Sequence, residues 1–281
     1  MAFEMPAQAS LAGLTLRVRD RERALAFYRD LLGLSAAASD GEVRLSPAAG
    51  GFTLRLNVNS QAPSRTGRAV GLYHFAMLLP SRPALGAILR RLVEAEWPVD
   101  GGSDHIVSEA VYLRDPEGNG IELARDRPRK DWLYTDGQLT MLSEMLDVDE
   151  LLKTASPAAG LHPATRLGHM HLTVNDLSTG EAFYAGGLGL TVMQRSYPGA
   201  LFLAAGEYHH HVGMNIWGAP RPATAGATGL EAYTWTVPPG TLERLAAHLE
   251  ETQIAAGRSA EGLMVRDPFG IAVNLTEDDQ R

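Results

Sequence analysis

The sequence predicts an α+β protein assembled from four modules, each running strand, helix, then three strands. Three observations lead there. LTLRVRDRERALAFYRDLLGL from Leu14 and HLTVNDLSTGEAFYAGGLGL from His171 align without a gap at an offset of 156 residues, sharing Leu, Val, Asp, Ala, Phe, Tyr, Leu, Gly and Leu. GLYHFAMLLPSRPALGAILRRLVEAEWPVD from Gly71 parallels GLEAYTWTVPPGTLERLAAHLEETQIAAG from Gly229. Each of the latter pair then enters a hairpin pattern, YLRDPEGNGIEL or MVRDPFGIAVNL, with Asp-Pro-x-Gly at its turn. Asp, Pro and Gly in that order close a tight turn, and long internal repeats set architecture before any single motif does.

Taken in order, the first and third modules open with a strand that ends at Asp20 or Asp176, each placed as a helix N-cap. Ala24, Phe27, Tyr28 and Leu31 fall at i, i+3, i+4 and i+7, one apolar helix face suited to packing on a sheet. Gly33 and Gly189 stand where such helices stop. A sheet with a helix on one face still has a face to bury, so modules of this kind pair around a common cavity. The predicted domains are residues 10–127, holding modules one and two, and 167–279, holding modules three and four. Residues 128–166 fit no module and form a connector, within which DVDELLKTA reads as a short helix.

Composition narrows the function. A chain of 281 residues has room for two cores, and a formal charge of −8 argues against a nucleic-acid partner. No apolar run approaches the roughly 20 residues of a membrane span, and the N-terminal residues lack the pattern of a signal peptide. A cytoplasmic protein without a membrane partner is the expectation. With no cysteine in the sequence, any metal must be held by His, Asp or Glu.

Chemistry-bearing residues concentrate in the middle of the chain. GGSDHIVSEAVYLRDPEGNGIEL carries His105, Tyr112 and Glu122 on two short strands joined by the turn, in position to face one cavity. LYHFA supplies His74, GHMHL supplies His169 and His171 on one strand face, and EYHHHVGMNIW supplies His209, His210 and His211. Read as a strand, that last segment must turn at least one histidine inward.

The four modules resemble the vicinal oxygen chelate superfamily, which includes glyoxalase I, bleomycin-resistance proteins and type I extradiol dioxygenases. The likeness covers nearly everything but the connector and the first ten residues. In detail it is similar to the two-domain bacterial catechol 2,3-dioxygenases, on LYHFA, SEAVYLRDPEGNGIE and the GHMHL…YHHHVGMNIW pair. That resemblance implies metal ligands at His74, His169 and Glu122, with His171 as the competitor of His169. Two imidazoles and a carboxylate on one face suit Fe(II), and Mn(II) tolerates the same set. It further implies His210 as the acid–base histidine, with His209 and His211 as alternatives one residue away, and His105 and Tyr112 as hydrogen-bonding partners of substrate. The implied activity is Fe(II)-dependent cleavage of a catechol with O2 to a 2-hydroxymuconic semialdehyde, by an enzyme that self-associates as a homo-oligomer. The alternatives are a glyoxalase- or epimerase-like metalloenzyme and a non-catalytic binding protein of the resistance type.

The repeats supply their own control. Where module two has His74, Tyr112 and Glu122, module four has Ala232, Met264 and Asn274; where module three has His169, module one has Gly13. Modules one and four therefore keep the framework and lose the chemistry. One complete triad then requires module two to pair with module three as the active barrel, leaving modules one and four as a degenerate barrel.

Overall fold

A computed structural model describes residues 3–39, 42–65, 68–135, 138–259 and 261–278; residue 279, the expected end of the second domain, lies outside them. The four modules are present. Module one holds β1 (Ser10–Val18), α1 (Arg21–Leu25), β2 (Ser35–Ser39), β3 (Glu42–Ser46) and β4 (Thr53–Val58). Module two holds β5 (Gly71–Leu78), α2 (Arg82–Glu94), β6 (Val99–Asp104), β7 (Ser108–Arg114) and β8 (Gly120–Asp126). The connector adds β9 (Tyr134–Thr135), β10 (Gln138–Leu139), β11 (Glu144–Met145) and α3 (Val148–Lys153). Module three holds β12 (Arg166–Thr173), α4 (Leu177–Glu181), β13 (Thr191–Gln194), β14 (Ala200–Ala204) and β15 (Val212–Asn215). Module four holds β16 (Gly229–Val237), α5 (Thr241–Glu251), β17 (Ala256–Ser259), β18 (Gly262–Arg266) and β19 (Ala272–Glu277). Among the described residues no helix is long and apolar enough to cross a membrane.

Local chemistry explains the element ends. Asp20 accepts from the backbone N–H of Arg23, and Asp176 from those of Ser178 and Thr179, so both act as N-caps. Beyond Leu25 and Glu181 the helices widen to π turns, Ala26–Leu31 and Ala182–Gly187. The N–H of Leu32 accordingly reaches back to the carbonyl of Phe27, and that of Leu188 to Phe183. Both helices stop at a glycine with positive φ, Gly33 at 80° and Gly189 at 70°.

The chain forms two compact lobes, one of Arg17–Ala62 and His74–Gly168, the other of Met1–Leu16, Pro63–Tyr73 and His169–Arg281. In the first lobe β2, β3 and β4 run antiparallel, as do β11, β6, β7 and β8, while β5 lies parallel to β8. Phe27, at 4.7 Å between ring centroids from Trp97, joins the module-one helix to module two. Arg91 donates to the carbonyls of Asp30 and Leu31, which the end of the helix leaves without intrahelical donors.

The connector is docked on this lobe rather than slung across it. Leu151 is fully buried, Arg82 and Arg90 donate to the carbonyls of Glu150 and Leu152 at the end of α3, and Asp147 caps its start. The helices approach closely because position 86 is glycine: a Cβ there would lie 2.6 Å from the carbonyl oxygen of Leu151.

In the second lobe β17, β18 and β19 are antiparallel and β16 is parallel to β19. Strands β13, β14 and β15 are antiparallel, and β12 is parallel to β15. Trp235, Tyr233, Tyr184, Leu245 and Leu249 are fully buried at its centre. The strand orders are β4-β3-β2 and β11-β6-β7-β8-β5 in the first lobe, with β10-β9 apart, and β17-β18-β19-β16 and β12-β15-β14-β13 in the second.

Candidate metal centre

His74 stands on β5 opposite Gly120 of β8, and Glu122 is two residues further along that parallel partner. Residues two apart share a strand face. The outcome is a 3.0 Å approach of His74 Nε2 to Glu122 Oε2, with the residues 6% and 3% exposed. A carboxylate buried this far is costly without a cation or donors around it. His169, the fourth residue of β12, is 3% exposed, and one ligand atom from each of His74, Glu122 and His169 lies within 4.8 Å of the other two. That donor set, two imidazoles and one carboxylate buried together, fits a divalent metal ion.

His171, on the same face of β12, has other company. Its Nε2 is 3.0 Å from Asn215 Nδ2, and it sits among the rings of Tyr73, Trp217 and Phe202 at 5.1, 5.6 and 5.8 Å.

Tyr112 on β7 is the register partner of Glu122 on β8, so their side chains rise from the same face. Its ring is 5.5 Å from that of His74. His105 lies one residue past β6, in the turn before β7, so the segment is three strands rather than the two expected. His105 Nε2 is 2.6 Å from Tyr112 Oη, and its Nδ1 is 2.8 Å from the carbonyl oxygen of Leu142.

The histidine run is a second correction. His209, His210 and His211 precede β15 in an irregular turn, because the chain leaves β14 at Ala204 and resumes the ladder only at Val212. Strand alternation therefore does not sort them, and all three are buried. Ring contacts sort them instead. His210 lies 4.1 Å from His169 and 4.9 Å from Phe202 between ring centroids. His209 is 6.2 Å from His169 and shares an Nδ1···Nδ1 hydrogen bond of 2.8 Å with His210. His211 turns toward Trp235 at 5.2 Å, and its Nδ1 accepts the N–H of Ala205.

Behind the hairpin stands a charge cluster that sequence reasoning missed. Glu109, 4% exposed, accepts from Arg82 Nε at 3.0 Å and Arg125 Nε at 2.7 Å, with Arg127 Nη2 3.8 Å away. Arg127 also pairs with Asp104, whose Oδ1 accepts the N–H of Ile106 at 2.9 Å. Ile106 holds a φ of 70°, a strained value for a β-branched residue, directly after His105. SDHIVSEA carries no local pattern announcing this, since the partners lie on three separate elements.

Module four shows the hairpin without the chemistry. Met264 faces Asn274 in the register that pairs Tyr112 with Glu122, and Thr234 is partnered with Asn274 as Ala76 is with Glu122.

Comparison with known proteins agrees with this architecture. Residues 10–123 and 166–275 match the Glyoxalase/Bleomycin resistance protein/Dioxygenase superfamily. The chain is 40% identical over 253 residues to the catechol-2,3-dioxygenase of Bacillus subtilis (strain 168), covering 86% of this chain and 85% of that one. A crystal structure from Bacillus subtilis subsp. subtilis str. 168, of a protein provisionally named a dioxygenase, superposes with a TM-score of 0.71 at 12% identity, over 99% of this chain and 87% of that chain. Glyoxalase I from Zea mays superposes at 0.59 with 15% identity, over 96% of this chain and 92% of its own. At those identities the two structures speak to the fold alone.

Proposed function

The chain belongs to the glyoxalase/bleomycin resistance protein/dioxygenase superfamily, and from that premise we propose that it is an Fe(II)-dependent extradiol dioxygenase. Its reaction would insert both atoms of O2 into a catechol and release a 2-hydroxymuconic semialdehyde. The observation that carries this reading is the convergence of buried His74, Glu122 and His169 beside Tyr112 and the His209–His210 pair. A glyoxalase-type site built on two carboxylates is less well supported, since the triad holds one. The name of the 40% identical relative points the same way.

His74, His169 and Glu122 would hold the metal. When bound, a divalent iron held on one face makes a chelating phenol more acidic and brings it together with O2. The protein's part is orientation and proton handling. His210, seated against His169, takes a catechol proton and later returns one, work that suits an imidazole near neutrality. Tyr112, with His105 behind it, meets a substrate oxygen from the strand beside Glu122, an oxyanion-type role. Burial of the triad keeps bulk water from competing for it.

The same reading includes domains at 10–127 and 167–279, and the pairing of module two with module three. Two local approaches of β5 to β12 support the pairing. A Cβ on Gly168 would lie 3.3 Å from Leu78 Cβ, and the rings of Tyr73 and His171 are 5.1 Å apart.

The deciding experiment is anaerobic loading with Fe(II), then aerated addition of catechol and 3-substituted catechols. A yellow ring-opened product is expected. No colour with any catechol, together with no stoichiometric metal in the loaded protein, would sink the proposal.

A further inference from the structure

We propose that the connector, through the main-chain carbonyl of Leu142, fixes the tautomer of His105 and so the direction in which Tyr112 points its proton. The carbonyl oxygen stands 2.8 Å from His105 Nδ1, with Ser143 Oγ a longer partner of the same nitrogen at 3.3 Å. A carbonyl oxygen only accepts, so Nδ1 carries the hydrogen. Neutral imidazole has one N–H, which leaves Nε2 with a lone pair. The 2.6 Å contact between Nε2 and Tyr112 Oη is then the phenol donating to the imidazole.

The placement of that carbonyl is built, not incidental. Strand β11 pairs with β6, Glu144 against Asp104 and Met145 against Ser103, so the connector lies along the strand that leads into His105. Leu146 is buried against Gly102, where a Cβ would lie 2.9 Å from Leu146 Cδ2. The turn itself is held from the other side by Asp104, Arg127 and the Glu109 cluster, which maintain the positive φ of Ile106. Two independent supports thus aim one imidazole.

The use of this arrangement in catalysis rests on the dioxygenase reading; the tautomer does not. A substrate hydroxyl donates to Tyr112 Oη while the phenol's own proton passes to His105 Nε2. One substrate O–H bond breaks, one N–H bond forms, and the phenol ends neutral with its hydrogen directed at the substrate oxygen. The resulting imidazolium keeps its Nδ1–H on the Leu142 carbonyl. Leu142 is in this sense a positioning residue.

The test is long-range 1H–15N correlation spectroscopy on the full-length chain labelled with 15N-histidine and without added metal, His105 being assigned from the signals lost in His105→Gln. Neutral His105 should show a protonated Nδ1 and a bare Nε2. An Nε2–H tautomer, or the averaged pattern of a free imidazole, overturns the inference. A second variant replaces the amide between Leu142 and Ser143 with an ester, a weaker acceptor that leaves both side chains in place. It should admit the other tautomer and lower kcat for ring opening roughly three- to tenfold, the weight of one hydrogen bond. An ester variant with unchanged tautomer or unchanged kcat counts against the connector's role. If the Nδ1–H tautomer is found and no catechol is opened by the iron-loaded chain, the dioxygenase reading fails and the tautomer assignment stands.

Discussion

Tyr28 Oη donates a 2.8 Å hydrogen bond to Oδ2 of Asp115, latching the module-one helix to the Asp-Pro-x-Gly turn of module two in a fully buried place. The pair recurs as Tyr184 and Asp267, also at 2.8 Å, where Tyr233 Oη donates to Tyr184 Oη in turn. Asp115 collects three further donors, the N–H groups of Glu117 and Asn119 and the Asn119 side chain. Burial still raises its carboxyl above the ordinary range against the pull of those bonds. Removing the phenol oxygen with Tyr28→Phe should cost about 1–2 kcal/mol, and Asp115→Asn, which sets an amide against two donors, about 2–3 kcal/mol. Urea unfolding monitored by circular dichroism measures both, and equal or smaller loss in Asp115→Asn would contradict this account.

The same burial predicts alkaline behaviour. Burial is the largest cause raising Tyr28, Tyr184 and Tyr233 above the usual phenol range, and Asp115 or Asp267 adds to it. A group whose folded pKa is raised contributes stability below its unfolded pKa, and that contribution disappears as pH climbs through the folded value. Stability should therefore fall above about pH 10, the unfolded phenol value. In a spectrophotometric titration of the eight tyrosines, Tyr28, Tyr184 and Tyr233 should ionise only together with unfolding. Reversible ionisation of all eight in the folded protein is the contrary result.

Metal stoichiometry separates the working hairpin from its copy. One divalent ion per chain is expected by atomic emission after Fe(II) or Mn(II) loading. Glu122→Ala and His74→Ala should each abolish it, whereas Asn274→Ala should leave it intact, since Asn274 faces Met264 rather than a ligand set. Two ions per chain would show that module four is not chemically silent.

The two histidines of β12 are distinguishable in the same assay. His169→Ala should lose the ion, because His169 belongs to the 4.8 Å cluster. His171→Asn should keep it and lose stability by about 1–2 kcal/mol, its partners being Asn215 and a set of aromatic rings. The reverse pattern would exchange their roles.

His210→Phe should retain metal and catechol binding while turnover drops by about 10²-fold or more, in keeping with loss of a general acid–base group. Stopped-flow binding spectra and steady-state rates read the two effects separately, and full turnover would remove His210 from the mechanism.

What could be read in advance was what local chemistry dictates. The Asp20 and Asp176 caps, the Gly33 and Gly189 stops and the hairpin turns depend on residues within a few positions of each other. The grouping of His74, Glu122 and His169 was an expectation carried by the family resemblance of their motifs, and the Ala232, Asn274 and Gly13 of the other copies agreed with it. The π turns were not, since widening a helix by one residue leaves no compositional mark. Nor was the Glu109 cluster: Arg82 and Arg125 stand 27 and 16 positions away and converge only through pairing of β7 with β8 and the packing of α2. The histidine run misled because apolar residues after it continue a strand that begins later, at Val212.

The contact of His105 with Leu142 is made by an atom that every amino acid shares, while the leucine side chain is 48% exposed. Drift at position 142 can therefore exchange the residue for almost any other and leave the imidazole aimed as before. A lineage would carry the device without any letter of its alphabet recording it, and a survey of substitutions would find the position indifferent to its occupant. The trace would appear instead as a constraint on length, because inserting or deleting a residue between β10 and β11 shifts which carbonyl arrives at the ring.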